Sequence, residues 1–224
     1  MTSPDKAHYP RLLDLFCGAG GAAMGYQRAG FYVVGVDIAP QPDYCGDEFH
    51  QADAMTWPLD GFDAIHASPP CQAYSTMGNR SRLPAPDLLP PTLERLGRVT
   101  VPWIVENVAG AKRLMPNAFV LSGGMFGLGV HRPRYFASNC LILVPVRHRP
   151  PPGGVGVYGR AADGRRLWQR QSNGTYRAPR SLEEAQTAMG MDWADWHGTK
   201  EAIPPAYTEW IGHQLIAHVG AVRV

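Results

Sequence analysis

The chain has 224 residues, with 21 Lys and Arg against 19 Asp and Glu, and 45% hydrophobic against 18% charged residues. That balance suits a globular protein with one core, or one core and a small appended lobe. No apolar run approaches the ~18–20 residues of a membrane span, and residues 1–11 (MTSPDKAHYPR) lack the apolar stretch of a signal peptide. A cytoplasmic protein without a membrane partner is therefore expected. Cys17, Cys45, Cys71 and Cys140 form no CxxC pair, so spacing defines neither a zinc site nor a disulfide framework.

In chain order, a short apolar strand (Leu12, Leu13, Leu15, Phe16) leads into glycines and a helical stretch from Ala22 to Ala29. A second strand, Phe31 to Val36, ends at Asp37; residues 50–54 read as the end of a third, and Phe62 to Ala67 as a fourth. A helical pattern from Leu93 to Val99 precedes a fifth strand, Trp103 to Val105. Strands alternating with helices give an α/β class with a largely parallel sheet. Cys140 to Val146 reads as a further apolar strand, before Pro150-Pro151-Pro152-Gly153-Gly154 breaks the chain. Leu182–Met189 and Tyr207–Val219 read as helices, the second started by Pro204-Pro205. The expected division is a core over 1–136, a small segment over 137–179, and a return to the core over 180–224.

The charge is unevenly placed. Residues 147–180 hold eight arginines, Arg160, Arg165, Arg166 and Arg170 among them, against Asp163 alone, a local net of +7 in a chain of net +2. Such a concentration suits a polyanion partner; a solvated loop with structural ion pairs is the competing reading.

Gly18-Ala19-Gly20-Gly21-Ala22-Ala23 lies between a strand and a helix and fits G-x-G-x-x-G/A, with Asp37 about 20 residues on. Glycines let a ligand approach the backbone, and a carboxylate at Asp37 can accept from both hydroxyls of a ribose. The pattern points to a nucleoside cofactor without separating NAD from S-adenosylmethionine. Asp53, at the third strand end, can accept an adenine amine. Ser68-Pro69-Pro70-Cys71-Gln72 follows the fourth strand, at the sheet edge where open α/β folds bind ligands. Two prolines fix the approach of Cys71 and remove backbone donors, which suits a nucleophilic thiolate better than an inert core cysteine. Glu106 ends the fifth strand on that edge; apolar neighbours there raise a carboxyl pKa and suit it to proton donation. Arg132 and Arg134, at i and i+2, share a face if extended, and can clamp a carbonyl oxygen, a phosphate or Glu106.

Together, Asp14-Leu15-Phe16-Cys17-Gly18-Ala19-Gly20-Gly21, Pro69-Pro70-Cys71-Gln72, Trp103 through Gly110 with Glu106-Asn107-Val108, and Arg132-x-Arg134 resemble the ordered motifs of the DNA cytosine-5 methyltransferases. Arg180 through Gly190 resembles the family's penultimate motif, and Ala202 through Gly212 its last. The likeness covers nearly the whole chain except 137–179.

The resemblance implies a Rossmann-like S-adenosylmethionine-dependent methyltransferase, with helices on both faces of a mostly parallel sheet and a small Arg-rich lobe. It implies that Cys71 adds to carbon 6 of a cytosine flipped out of double-stranded DNA, while Glu106 donates at ring nitrogen 3. Arg134 would contact the base carbonyl oxygen, and Arg132 would support Glu106 and the cysteine loop. S-adenosylmethionine would lie against Phe16, Gly18, Ala19, Gly20 and Gly21, with its ribose on Asp37, its adenine against Ile38 and Asp53, and Ala54, Pro69, Glu201 and Ala202 completing the pocket. Gln72, Ser75, Arg80 and Arg82, on and after the cysteine loop, would meet DNA together with the four arginines already named, and Tyr158 and Trp168 are candidates for stacking. A monomer is expected.

Three positions depart from the family pattern. Asp37 replaces the usual Glu, Val130 stands where Gln often precedes the paired arginines, and Lys200-Glu201 replaces a Gly-Asn pair, placing charge at the edge of the cofactor pocket where it bears on cofactor preference. The interval 137–179 is short for a recognition lobe and rich in arginine, which favours phosphate contacts over base reading and hence a short or degenerate target. Methylation of RNA, and a non-catalytic binding protein, are the competing readings; the presence of Cys71, Glu106 and Arg134 argues against the second.

Overall fold

The computed structural model describes residues 8–75, 86–146, 154–158 and 176–222. Apolar β-formers make the first two strands, β1 (Arg11–Leu15) and β2 (Tyr32–Asp37), and helix α1 (Gly21–Ala29) between them begins where Gly20 turns through a left-handed φ of 85°. Gly20 is also needed for space, since a Cβ there would lie 2.8 Å from Cys45 Sγ. Strands β3 (Glu48–Gln51), β4 (Ala64–Ala67) and β5 (Trp103–Asn107) follow, with α2 (Leu89–Leu96) before the last. After a 3₁₀ turn (Ala109–Leu114) come β6 (Phe119–Leu121) and β7 (Arg134–Ser138).

These seven strands form one sheet in the order β3-β2-β1-β4-β5-β7-β6. Strands β1 to β5 run parallel, and β7 runs antiparallel between β5 and β6. A final run of helices comprises α3 (Leu182–Met189), α4 (Trp196–Glu201) and α5 (Pro205–Val222). Helices α1 and α5 cover one face of the sheet, where Leu12, Val33, Ala64, Ile104 and Phe136 meet Tyr26, Tyr207 and Ile211. The two helices approach closely because position 25 is glycine: a Cβ there would fall 2.1 Å from Pro205 O. The alternate residues Leu13, Val36, Ile65 and Val105 face the other way, onto Leu89, Leu96 and Met115. Helices thus lie on both faces of a mostly parallel sheet, a Rossmann-like arrangement.

A third, smaller core joins Val130, Val155 and Val157 to Ala185, Met189 and Ala194, and reaches Ala19 of the glycine loop. It is built on a two-stranded pairing of β8 (Gly154–Val155) with β9 (Tyr176–Arg177). Val130 is fully buried in it and bridges to Val155, so the apolar residue at this position is a core residue.

The apolar segment Cys140–Val146 is not a strand. Ser138 Oγ accepts the Cys140 N–H at 3.0 Å and turns the chain off the sheet. Its backbone is then held by side chains of α5: Gln214 Oε1 accepts the Leu143 N–H at 2.8 Å, and Trp210 Nε1 donates to Leu143 O at 2.8 Å. Leu141, Leu143 and Val146 consequently face solvent. The third strand also ends earlier than the sequence suggests, at Gln51, leaving Asp53 in the following turn.

Candidate active site

In a parallel sheet every strand delivers its carboxyl end to the same edge, where ligands bind. Gly18 follows β1, Asp37 ends β2, Cys71 follows β4 and Glu106 is the penultimate residue of β5, so one edge collects all four. The antiparallel β7 brings its first residue there as well. Glu106 pairs with Phe136 in the register, which makes Arg134 its diagonal neighbour on the same face.

The β4–β5 part of the edge is built from side chains. Arg134 Nε lies 3.0 Å from Glu106 Oε1, with both side chains about nine-tenths buried. Burial pushes the Glu106 carboxyl up, while Arg134, Arg132 and a hydrogen bond from Ser68 pull it back. Burial and the Glu106 and Glu201 carboxylates likewise raise the Cys71 thiol, against Arg134 and Arg132. The cysteine at rest is therefore a thiol, not the thiolate that the loop chemistry suggests. The Cys71 carbonyl accepts the N–H groups of Tyr74 and Ser75 at 3.0 and 2.9 Å, closing a tight turn that leaves Gln72 exposed. Asn107 Nδ2 donates to Pro69 O at 2.9 Å and ties the Pro-Pro-Cys loop to β5.

Arg132 does not reach Glu106. It is fully buried, and its two terminal nitrogens donate to Val157 O at 2.7 Å and Lys200 O at 2.5 Å. It is a strut between the small third core and α4, with its own carbonyl accepting the Tyr207 hydroxyl at 2.8 Å. Tyr158 is drawn into the same strut: its hydroxyl donates to His131 O at 2.6 Å and its ring lies against the Arg132 guanidinium. Its role is thus to hold the small core together, not to present a free stacking face.

The β1–β2 part of the edge is built mainly from backbone. Gly18 and Ala39 N–H groups donate to the two oxygens of Asp37 at 3.0 and 2.9 Å. Phe16 holds a left-handed φ of 60°, rare for a side chain of its size and a frequent mark of a ligand-shaped loop. Ile38 is 73% exposed beside Asp37, an apolar surface that no neighbour among the described residues covers. Trp193 Nε1 donates to Ala19 O at 2.9 Å, and Ala202 packs on Gly21, bringing the last motif against the glycine loop. Lys200 Nζ lies 3.7 Å from Glu201 Oε1, so the charged pair engages itself at the rim. An acidic acceptor, an uncovered aliphatic side chain and a glycine cradle fit an adenosine-bearing cofactor. Asp53 is exposed and turned by its own Oδ1, which accepts the Met55 N–H at 2.8 Å. Ala54 is a core residue under α2, its carbonyl accepting Arg95 Nη1 at 2.7 Å.

Arg80, Arg82, Arg160, Arg165, Arg166, Arg170 and Trp168 lie outside the described residues. Of the other arginines in the basic segment, Arg177 is engaged in an ion pair with Glu184, as the structural reading of that segment holds. Ser181 caps α3 by accepting the Glu184 N–H at 3.1 Å, so that motif builds a helix start. Among the described residues no His, Cys, Asp and Glu cluster could hold a metal ion, and no helix is long and apolar enough to cross a membrane.

Sequence reading gave no role to Asn107, Ser68, His66 or Tyr26. The signal for His66 was present: it is the one polar residue in the buried strand Ala64-Ile65-His66-Ala67.

Residues 10–112 match the sequence profile of the C-5 cytosine-specific DNA methylases. The chain is 32% identical to the Type II methyltransferase M1.HphI of Haemophilus parahaemolyticus, over 43% of this chain and 32% of that protein, so it spans about a third of the length of that curated relative. Solved structures share the fold over 94% of this chain and 99% of theirs. They include a candidate DNA modification methyltransferase encoded within an E. coli prophage (TM-score 0.65, 15% identity) and the Dnmt2 methyltransferase of S. pombe (0.62, 14%). The methyltransferase EhMeth of Entamoeba histolytica is a third (0.60, 11%). At such identities the likeness is one of fold. That profile match takes in the glycine loop, Asp37, Cys71 and Glu106.

Proposed function

We propose that this protein is a DNA cytosine-5 methyltransferase, acting in the cytoplasm on a cytosine flipped out of double-stranded DNA, with S-adenosylmethionine as methyl donor. The observation that carries this reading is the placing of Cys71 and the Arg134–Glu106 pair on the same sheet edge as the glycine loop and Asp37.

Carbon 5 of cytosine is too weak a nucleophile to accept a methyl group directly. Cys71 gives its proton up to water as the base enters, and its sulfur electron pair forms a bond to carbon 6. The ring π electrons shift toward nitrogen 3, where Glu106 supplies a proton. Burial raises the Glu106 carboxyl above its ordinary value and favours its protonated form, Arg134 and Arg132 oppose that rise, and Arg134 holds the group in place. The resulting enamine is nucleophilic at carbon 5. The Phe16–Gly21 loop, Asp37 and Ile38 would hold S-adenosylmethionine, which when bound would supply an electrophilic methyl to carbon 5 and leave as S-adenosylhomocysteine. Loss of the carbon 5 proton to water then re-forms the carbon 5–carbon 6 double bond and expels the Cys71 sulfur with its electron pair, and nitrogen 3 returns its proton to Glu106. Arg134 is also the group placed to meet the base carbonyl oxygen. Arg132 acts at a distance, by fixing α4 and the small third core beside the site.

The test is transfer of labelled methyl groups from S-adenosylmethionine to duplex DNA, RNA and tRNA, with Cys71→Ser alongside and bisulfite sequencing of the product. Incorporation into DNA at a short or degenerate site, abolished by Cys71→Ser, is expected. Signal on tRNA with silence on DNA would replace the DNA reading with the RNA one.

A further inference from the structure

A line of polar side chains, buried except for the half-buried Ser68, runs from helix α1 to Glu106. The Tyr26 hydroxyl lies 2.9 Å from His66 Nδ1, and His66 Nε2 lies 2.9 Å from Ser68 Oγ. Ser68 in turn hydrogen-bonds the Glu106 carboxylate. The sheet builds this line by register. His66 pairs with Ile104, so residues two further along each strand, Ser68 and Glu106, come side by side on the same face. Tyr26 and His66 are both fully buried.

The protons on this line have one consistent arrangement. Burial pushes the His66 pKa down to about 3, so the ring is neutral and carries one proton. Among the described residues the Tyr26 hydroxyl has no acceptor other than His66 Nδ1. Tyr26 therefore donates to Nδ1, the ring proton sits on Nε2 and is donated to Ser68 Oγ, and the Ser68 proton is left to point at Glu106. The other tautomer would strand the buried Tyr26 proton and turn the Ser68 proton away from the carboxylate, an arrangement that a buried hydroxyl resists.

We propose that His66 and Tyr26 are positioning residues whose hydrogen bonds oblige Ser68 to donate to Glu106, so that a chain starting on α1 sets how tightly the catalytic carboxylate holds its proton. This rests on Glu106 being the group that serves the base. The other groups facing Glu106 are Arg134 on β7, Arg132 just before it, Cys71 on the loop after β4 and Tyr207 on α5. Asp14 on β1 lies opposite His66 in the register, its carboxyl pushed well above the usual carboxylate range by burial. None of these is a donor to Ser68, so the Ser68 contribution can be removed without touching them.

The experiment is a carboxyl-carbon NMR titration of Glu106, assigned with Glu106→Gln, in the wild-type chain and in Ser68→Ala, Tyr26→Phe, His66→Leu and His66→Gln. Losing a donor disfavours the ionised form, so the midpoint rises in the first three variants, by about tenfold in proton affinity. His66→Gln presents a carbonyl toward Tyr26 and an N–H toward Ser68 at nearly the spacing of the two ring nitrogens, and it keeps the wild-type midpoint. A purely structural role would not distinguish Leu from Gln in this way. Unmoved midpoints in Tyr26→Phe and His66→Leu overturn the proposal, and so does a shift confined to Ser68→Ala. The titration needs no turnover. A shifted midpoint in a chain that methylates nothing would leave the hydrogen-bond chain standing and overturn the functional reading alone. Active enzyme with unmoved midpoints would do the reverse.

Discussion

The sheet edge has two halves built by different means. Along β1 and β2 the recognition groups are backbone N–H groups, glycines and an uncovered Ile38, open to solvent and held by local turns. Along β4, β5 and the start of β7 they are side chains, the buried Glu106, Arg134 and His66 with the half-buried Ser68, each engaged by another. A cofactor that comes and goes needs an accessible surface with few desolvated charges. A group that must exchange a proton with a base needs the opposite, because burial raises a carboxyl pKa while a fixed guanidinium limits that rise and holds the group in place. The contrast extends to Asp14, beneath the β1–β2 half. It is as buried as Glu106, yet neither of its oxygens has a hydrogen-bond partner among the described residues.

Substitutions at the two halves should therefore fail differently. Glu106→Gln is expected to lower turnover by ~100- to 10,000-fold while leaving S-adenosylmethionine affinity, measured by calorimetry, within about twofold. Equal losses in both would erase the distinction between the halves. Arg132→Met should act through stability, since the Val157 and Lys200 carbonyls lose their donor, costing about 2–4 kcal/mol in urea unfolding. Arg134→Met should abolish turnover and also destabilise, because it strands the buried Glu106 carboxylate, with the loss shrinking as pH falls and Glu106 takes up a proton. Asp37→Asn belongs to the cofactor half: affinity should fall about tenfold, with the single-turnover rate at saturating cofactor nearly unchanged.

The smallest effect sharpens the comparison through pH. The folded-state pKa of Asp14 is raised above its unfolded value, so the stability it contributes is fully present below about pH 4 and is lost as pH rises through the folded pKa. Asp14→Asn has no such loss. Its urea midpoint should match the wild type near pH 4 and exceed it increasingly toward neutrality; parallel curves would show that Asp14 has a partner in solution.

Much of this architecture can be read in the residues. The glycine loop, the strand ends at Asp37 and Glu106, and the Pro-Pro-Cys loop are local patterns, and each falls on the same sheet edge because parallel strands deliver their ends together. What could not be read depends on contacts between distant segments. Cys140–Val146 has the composition of a strand, yet Trp210 and Gln214 of α5 satisfy its backbone in place of a neighbouring strand. Arg132 and Arg134 look alike in sequence, but one begins the antiparallel strand beside Glu106 and the other turns toward carbonyls 25 and 68 residues away. The line from Tyr26 to Glu106 crosses three elements, and only the register of β4 with β5 reveals it.

The most direct test of the account is covalent. Duplex DNA carrying 5-fluorocytosine retains the fluorine where the carbon 5 proton should leave, so Cys71 stays bonded to carbon 6 after methyl transfer. Mass spectrometry of the wild-type chain with this DNA and S-adenosylmethionine should show protein plus DNA plus one methyl group, with the crosslinked peptide containing Cys71 and no adduct from Cys71→Ser. Methylation of ordinary duplex DNA that survives Cys71→Ser, or a crosslink at another residue, would contradict the account.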